Sequence, residues 1–591
     1  MMRFARTGAK VAVLAAVGAT ALAACGSSSS SSVSITPNGS FGNVPAQATG
    51  TEHGGTVTIA APPNTSANWI LPIVTGADNS VYTVLSFDYQ MYRPLYWFVN
   101  GVEPKQTPAM SLANLPTWSN GDKTATVTLK SNYKWSNGQP LTSQDVLFWY
   151  DEMKAAIAVS PANWAGYTPG LGIPDQVASV TAPNASTVVF NLKTAVNPTW
   201  FTENQLGSIQ PMPAAAWAKD SATGPTLDFT VPANAIKIYN YLAAQSGQLS
   251  TYATNPLWQV VDGPYRLTSF NSTTGAFTMV PNTTYGGPES KAPPTVSLVP
   301  FTSDDAEVNA VKAKSVDVGY LPLTNLKEAG TVKALGYNIY GFPDFGWTYV
   351  AYNFADTTGD FNNIIGQLYI RQVLAHLEDE QGYIKGFFFG AGGQAYGPVP
   401  SLPASPFTPA NAKTNPYPFS VSTAISILKS HGWTVTPGGT DVCATAGTGA
   451  SDCGAGIPAG TKLSFPLVYG SNPTIIQQMV EDLASDASKA GVHIVLSSST
   501  FNYMIANYNN PSSPKTVDKW AMEDFGGFTD STYPTTFGVF NGAGSSNLGS
   551  YNDPKANTLI QASISSSNPS AVTNEASYLT AQQPGLFQPN P

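Results

Sequence analysis

The residues of this chain that could do chemistry are four histidines, three cysteines and a thin set of carboxylates. His53, His376, His431 and His493 are scattered along 591 residues. His376 falls in an apolar helical pattern, where a hydrogen-bonded structural histidine outweighs a ligand. No G-x-S-x-G elbow, H-E-x-x-H pair or G-x-x-x-x-G-K-[ST] loop occurs, so serine-hydrolase, zincin and P-loop mechanisms lose their usual signals. Asp304-Asp305 and Glu378-Asp379-Glu380 could imitate a glycosidase carboxylate pair, but the simpler reading is solvated helix ends. Cys443 and Cys453 lie in a stretch of glycine, threonine, serine and aspartate turn formers. In an oxidising compartment that is a disulfide-closed surface loop, worth roughly 2 to 3 kcal/mol by loop entropy. Zinc is the poorer alternative, because no histidine or third cysteine is near and the C-x-x-C spacing is absent.

The elements that would position any site are α/β in pattern. Hydrophobic residues at 42% and aromatics at 11% supply a large core and exclude wholesale disorder. Only 11% of residues are charged and the net charge is −9, which leaves no basic footprint for nucleic acid. Alternating segments predict strands over 55–60, 125–130, 187–192, 276–280 and 462–468. Helical spacing predicts helices over 143–158, 364–385, 421–431, 474–490 and 554–566, the first capped by Thr142 with Asp145 in its first turn. Strands and helices interleave throughout, which implies α/β lobes. Residues 33–50 read as a polar linker, with order beginning at Gly55.

The N-terminus reads as an export signal: Arg3, Arg6 and Lys10 precede the apolar stretch Val11–Leu22, too short to span a bilayer comfortably. Leu22-Ala23-Ala24-Cys25-Gly26 resembles the lipobox of bacterial lipoproteins, in which the cysteine thiol is acylated and becomes the new N-terminus. Ser27 to Ser32 then form a flexible tether. The reading assigns 1–24 to the signal peptide and 25–53 to the tether, and the alternative is an ordinary secretory signal with an incidental cysteine. It expects the protein on the extracytoplasmic face of the bacterial cell membrane, held by Cys25.

Tyr133-Lys134-Trp135-Ser136-Asn137-Gly138-Gln139-Pro140-Leu141-Thr142-Ser143-Gln144-Asp145-Val146 resembles the signature of the family 5 extracytoplasmic solute-binding proteins. Those proteins feed peptides, nickel complexes or oligosaccharides to ABC importers. Other landmarks follow in the family's order, among them Met91–Tyr96, Asp262–Leu267, Asn282–Gly287, Lys314–Gly319, Tyr369–His376, Gly432-Trp433 and Tyr551–Pro554. The resemblance covers about residues 54 to 590. It implies a two-lobed periplasmic-binding-protein-like fold, type II and similar to the large cluster C, with an accessory subdomain. Lobe I would comprise 54–84, 203–298 and 518–591, the accessory subdomain 85–202, and lobe II 299–517. Family members usually continue past Leu586–Pro591 with a closing segment on the first lobe, so the sequence reads as a C-terminal truncation with a sheet edge or apolar face uncovered.

The same resemblance places Trp164, Trp347, Tyr349, Tyr469, Trp520 and Phe525 beside cleft-lining segments. Flat rings there bury large area at little entropy cost and stack on sugars or side chains alike. Asp524-Phe525-Gly526-Gly527 is similar to the acidic-aromatic turn at the crossing between lobes, where a ring faces the ligand. Peptide-binding relatives carry an aspartate after the strand corresponding to Leu463–Tyr469, but here the stretch is Tyr469-Gly470-Ser471-Asn472-Pro473. A buried ligand ammonium would therefore need another partner. The expectation is a monomeric, non-enzymatic receptor without metal or cofactor, whose partners are an oligopeptide or similar small solute, ABC permease subunits and the membrane. Its alternatives are an extracellular carbohydrate-active protein on a similar scaffold, and an adhesin or sensor.

Overall fold

Local sequence builds the scaffold in recognisable steps. In the helix Ser143–Val159 the Thr142 N–H donates to Asp145 Oδ2 at 2.8 Å, closing a reciprocal capping box. Asp145 Oδ1 also accepts from the Ala214 N–H at 3.0 Å, so the cap ties the helix to the chain that follows the accessory sheet. The helix buries Val146, Trp149 and Met153 along with Asp145. The computed structural model describes residues 33–37, 39–43, 54–63, 65–99, 105–288, 294–508 and 520–590. The signal peptide, Cys25 and most of the tether fall outside the described residues.

Three sheets organise the chain. Thr56–Ala61 pairs in parallel with Thr295–Pro300, and Phe277–Pro281 and Tyr265–Phe270 complete a four-stranded sheet. Ala113–Ser119, Thr124–Leu129, Thr187–Leu192 and Val177–Asn184 form the antiparallel accessory sheet. The third sheet is mixed: His493–Ser499, Ser464–Gly470, Met522–Asp524, Gly346–Tyr352 and Gly527–Thr529 in spatial order, with Gly585–Gln588 also paired to Gly346–Tyr352. One apolar core joins the first sheet to the accessory region, and two more lie on opposite faces of the mixed sheet. This is the two-lobed α/β arrangement.

Register moves the expected lobe boundaries. Residues 518–591, expected with lobe I, divide between the two: Tyr533, Ile564 and Val572 pack in the core that holds the first sheet, while Met522–Asp524, Gly527–Thr529 and Gly585–Gln588 pair with Gly346–Tyr352 of the mixed sheet. Conversely, Val318 extends the first sheet: the Ala60 N–H donates to Val318 O at 2.8 Å and the Asp317 N–H to Thr58 O at 2.8 Å. Residues after 299 thus begin on the first lobe.

Three other expectations change. The single helix over 364–385 is three helices, Phe361–Gly366, Leu368–His376 and Glu380–Gly386. Gln367 turns extended after Gly366, and the Asp379 carboxylate caps a new start by accepting from the Gly382 N–H at 3.0 Å. Glu378 and Glu380 are buried, at 2% and 5% exposure, so that acidic run is no solvated end. Asp304 is buried as well. Part of the linker is docked: Phe41 exchanges backbone hydrogen bonds with Gly341, both at 2.9 Å, and its ring packs with Leu326, Ala329 and Ala391. His376 Nδ1 sits 2.7 Å from Pro418 O. Cys443 and Cys453 are joined as a disulfide with Cα atoms 6.0 Å apart.

Candidate ligand-binding site

The mixed sheet bends where its sequence demands it. Met522–Asp524 and Gly527–Thr529 pair with one strand, Gly346–Tyr352, on either side of a kink at Phe525-Gly526. Gly526 has φ +102°, and a Cβ on Gly527 would lie 1.8 Å from Trp347 O, so neither position accepts a side chain without movement. The Asp524 carboxylate accepts from the Gly526 N–H at 3.0 Å and holds the kink. Burial pushes the Asp524 carboxyl up to about 7, with the Gly526 hydrogen bond opposing.

The kink delivers Phe525 and Phe528 to the same side of the sheet although they are three residues apart. Their rings meet at 5.7 Å and face a cavity of about 670 Å³, within the roughly 300 to 1,000 Å³ of small-molecule sites. One wall comes from the first half of the chain and carries Tyr89, Tyr96, Trp97 and Phe98. The other comes from the helix Phe501–Asn507, the kinked strand and the loop at Ser545. The two halves touch where Tyr82 meets Phe501 edge to face at 5.9 Å and where Asn502 Nδ2 donates to the Ser66 hydroxyl at 3.2 Å. Arg93 sits 4.2 Å from the centre of the Trp97 ring and so supports that wall from beside the cavity.

The polar side chains of the lining are Asn79, Ser80, Gln90, Thr529, Ser531, Thr532, Ser545 and Ser546, beside Asp530. Among the described lining residues Asp530 is the one carboxylate, and no Lys, Arg or His lines the cavity. Burial drives the Asp530 carboxyl well above the usual range; the Asp344 and Glu575 carboxylates add to this, and the Trp347 indole opposes it. Asp530 Oδ2 and Trp347 Nε1 are both enclosed, and the indole N–H is the donor that acts on the carboxylate. The set can stack flat or apolar groups and exchange hydrogen bonds with hydroxyls, amides or amines.

Of the residues expected from the sequence, Phe525 lines this cavity. Tyr349 stands behind it, ring centres 6.1 Å apart. Trp347 stacks on Phe540 at 5.3 Å, and Trp520 is 3% exposed in the same core. Tyr469 packs into the core on the other face of the sheet, and Trp164 meets Trp149 edge to face at 5.7 Å while its neighbour Ala165 reaches the cavity. These five rings and Asp524 are not among the residues that line the cavity. Sequence reasoning missed Trp97 and Phe98, although they directly follow the landmark ending at Tyr96. It also missed Phe528, because the kink breaks the two-residue alternation by which strand faces are read.

A model for the middle region of family 5 of the bacterial extracellular solute-binding proteins matches residues 107–546. The chain belongs to that family. This family 5 protein is 25% identical over 465 residues to Protein XP55 of Streptomyces lividans, covering 78% of this chain and 71% of that protein. Its fold matches lactococcal OppA, solved in the closed conformation with an endogenous peptide, at a TM-score of 0.68 and 16% identity, covering 91% of this chain and 95% of that one. AppA of Bacillus subtilis, solved with a nonapeptide, gives 0.67 at 16% identity, covering 91% and 94%. Among the described residues no helix is long and apolar enough to cross a membrane.

Proposed function

We propose that the protein is a lipid-anchored, non-catalytic receptor that captures an oligopeptide or a solute of similar size between its lobes and hands it to an ABC permease. The observation that carries this reading is the aromatic-walled, hydroxyl-rimmed cavity enclosed by segments from both halves of a family 5 fold. Its described lining offers the single carboxylate Asp530, whereas glycoside hydrolysis uses a facing pair about 5 to 10 Å apart. Lobe closure over the ligand supplies the signal that a permease would read. Phe525, with Tyr349, Trp347 and Trp520 supporting it, is the proposed aromatic contact.

Native mass spectrometry of the protein purified from its own host tests the reading: an intact bound solute is expected, and one recovered chemically cleaved overturns the receptor mechanism. Anchoring is tested separately. Cys25→Ser should move the protein from the membrane fraction to the soluble one, and retention of the mutant with no lipid mass on the wild type refutes the anchor. Because Val33 is docked close to Phe41, the eight residues from Cys25 reach at most roughly 28 Å. The docked face would then sit near the bilayer.

A further inference from the structure

We propose that the face around the docked N-terminal segment is a membrane-contact surface, which seats the body on an anionic bilayer through exposed aromatic side chains. The proposal goes beyond the receptor reading and takes from the anchor reading only the reach of the tether. A second groove, of about 600 Å³, shares no lining residue with the ligand cavity. It is lined by Val311 and Val332 from one small apolar cluster and by Phe41 and Ala391 from another. Twelve large apolar side chains are exposed among the described residues, and four of them meet here. Val318, Tyr320 and Tyr340 line the groove at 51%, 41% and 46% exposure. Phe389, at 45%, precedes Gly390, where a Cβ would lie 3.7 Å from Ile35 of the docked segment. Phe389 has φ +53°, a left-handed conformation that bulky residues rarely adopt, so the chain accepts strain at the residue that presents this ring. Such a concentration marks an interaction site rather than ordinary surface.

The tether identifies the partner. The docked segment is fixed by the Phe41–Gly341 exchange and by the Gly392 N–H, which donates to Gly39 O at 3.2 Å. Its first described residue, Val33, packs in the Phe41 cluster, and an acylated Cys25 eight residues earlier stands at most roughly 28 Å away. The face that carries Tyr340 and Phe389 is thereby held within reach of the bilayer. Tyrosine and phenylalanine suit the interface, where rings sit at headgroup level and a phenol hydroxyl stays wet. Exposed lysines suit its charge. Lys385 precedes Phe389 by four residues, and Lys333 lies one helical turn after Ala329, which packs with Phe41. Asp317, the carboxylate of the groove's described lining, accepts from the Thr58 N–H at 2.8 Å and so belongs to the sheet edge. The anchor makes the contact intramolecular, so a weak contact is enough. Cys25→Ser still leaves the membrane fraction, because the surface alone is a single weak signal.

The test uses the protein purified from its own host and reconstituted in vesicles of phosphatidylcholine with phosphatidylglycerol. Cys443 and Cys453 are joined, so Tyr340→Cys, Phe389→Cys and, as a control on the accessory sheet, Leu115→Cys each offer one thiol to an environment-sensitive dye. All three side chains are exposed, so labelling leaves the core intact. The dyes on Tyr340→Cys and Phe389→Cys are expected to shift to the blue and to be quenched by a spin-labelled lipid about threefold more strongly than the dye on Leu115→Cys. The difference should shrink in high salt and in phosphatidylcholine alone. Equal quenching at all three sites overturns the surface. So does a blue shift that the lipid quencher does not reach, since a protein then covers the groove. Failure of the anchor is distinguished by mass. If the host-purified protein carries no lipid, the same protein is sedimented with the vesicles: salt-sensitive binding that Phe389→Ser weakens supports the surface, and no binding refutes it. The receptor reading is judged separately by the host-purified solute.

Discussion

Phe525→Ala is the perturbation that separates a cavity wall from a core. The ring is 6% exposed and packs against Tyr349 at 6.1 Å and Phe528 at 5.7 Å, with its remaining edge on the cavity. A fully enclosed Phe→Ala change costs about 3 to 5 kcal/mol of stability, and because one edge here opens to the cavity the expected loss is at the low end, about 3 kcal/mol. For binding, the 6% of the residue left open is about 10 to 15 Å² and contributes about 0.3 kcal/mol by area, and ring stacking adds about 0.5 to 1.5 kcal/mol, which together correspond to roughly 4- to 20-fold in Kd. Phe540→Leu is the control. Phe540 stacks on Trp347 in the same core and is not among the lining residues, so it should lower the melting temperature with less than about a twofold change in Kd. Isothermal titration calorimetry with the solute recovered from the host reads the affinities, and thermal denaturation reads the stabilities. If Phe525→Ala binds as tightly as wild type while remaining folded, the cavity is not the ligand site.

Phe41→Ala should release the docked N-terminal segment, because the ring fills the space over Gly341, where a Cβ would lie 2.6 Å from it. Hydrogen exchange in peptides covering Val33–Asn43 is expected to rise by at least tenfold while the mixed sheet keeps its protection; unchanged exchange refutes the strap. Glu152 is fully buried with neither carboxylate oxygen hydrogen-bonded among the described residues, and burial pushes its carboxyl up to about 9. Its folded value lies above the unfolded 4.5, so the stability linked to its proton is present below pH 4.5 and is lost as pH rises towards 9. Glu152→Gln should therefore melt higher than wild type at pH 8 and alike at pH 4, and a difference independent of pH would overturn that sign.

Sequence alone determined what short-range physics controls. Thr142 and Asp145 fix a helix start because a capping box needs only residues three apart, and Thr187–Leu192 is a strand because alternation in a half-buried sheet is local. The order of motifs was enough to place the chain in family 5. Tertiary structure decided whatever depends on residues distant in sequence. Gly346–Tyr352 recruits strands from 522–529 and 585–588, and no local pattern announces that pairing, so segments expected in one lobe are hydrogen-bonded into the other. The acids Glu378 and Glu380 look solvated by composition and are buried by packing. Trp347 and Trp520 have the residue type of a binding surface, but both faces of the mixed sheet are covered, which places them in the core. Phe528 and Asp530 reach the cavity because a positive-φ glycine shifts the strand by one residue, and a one-residue slip exchanges the faces of every side chain beyond it.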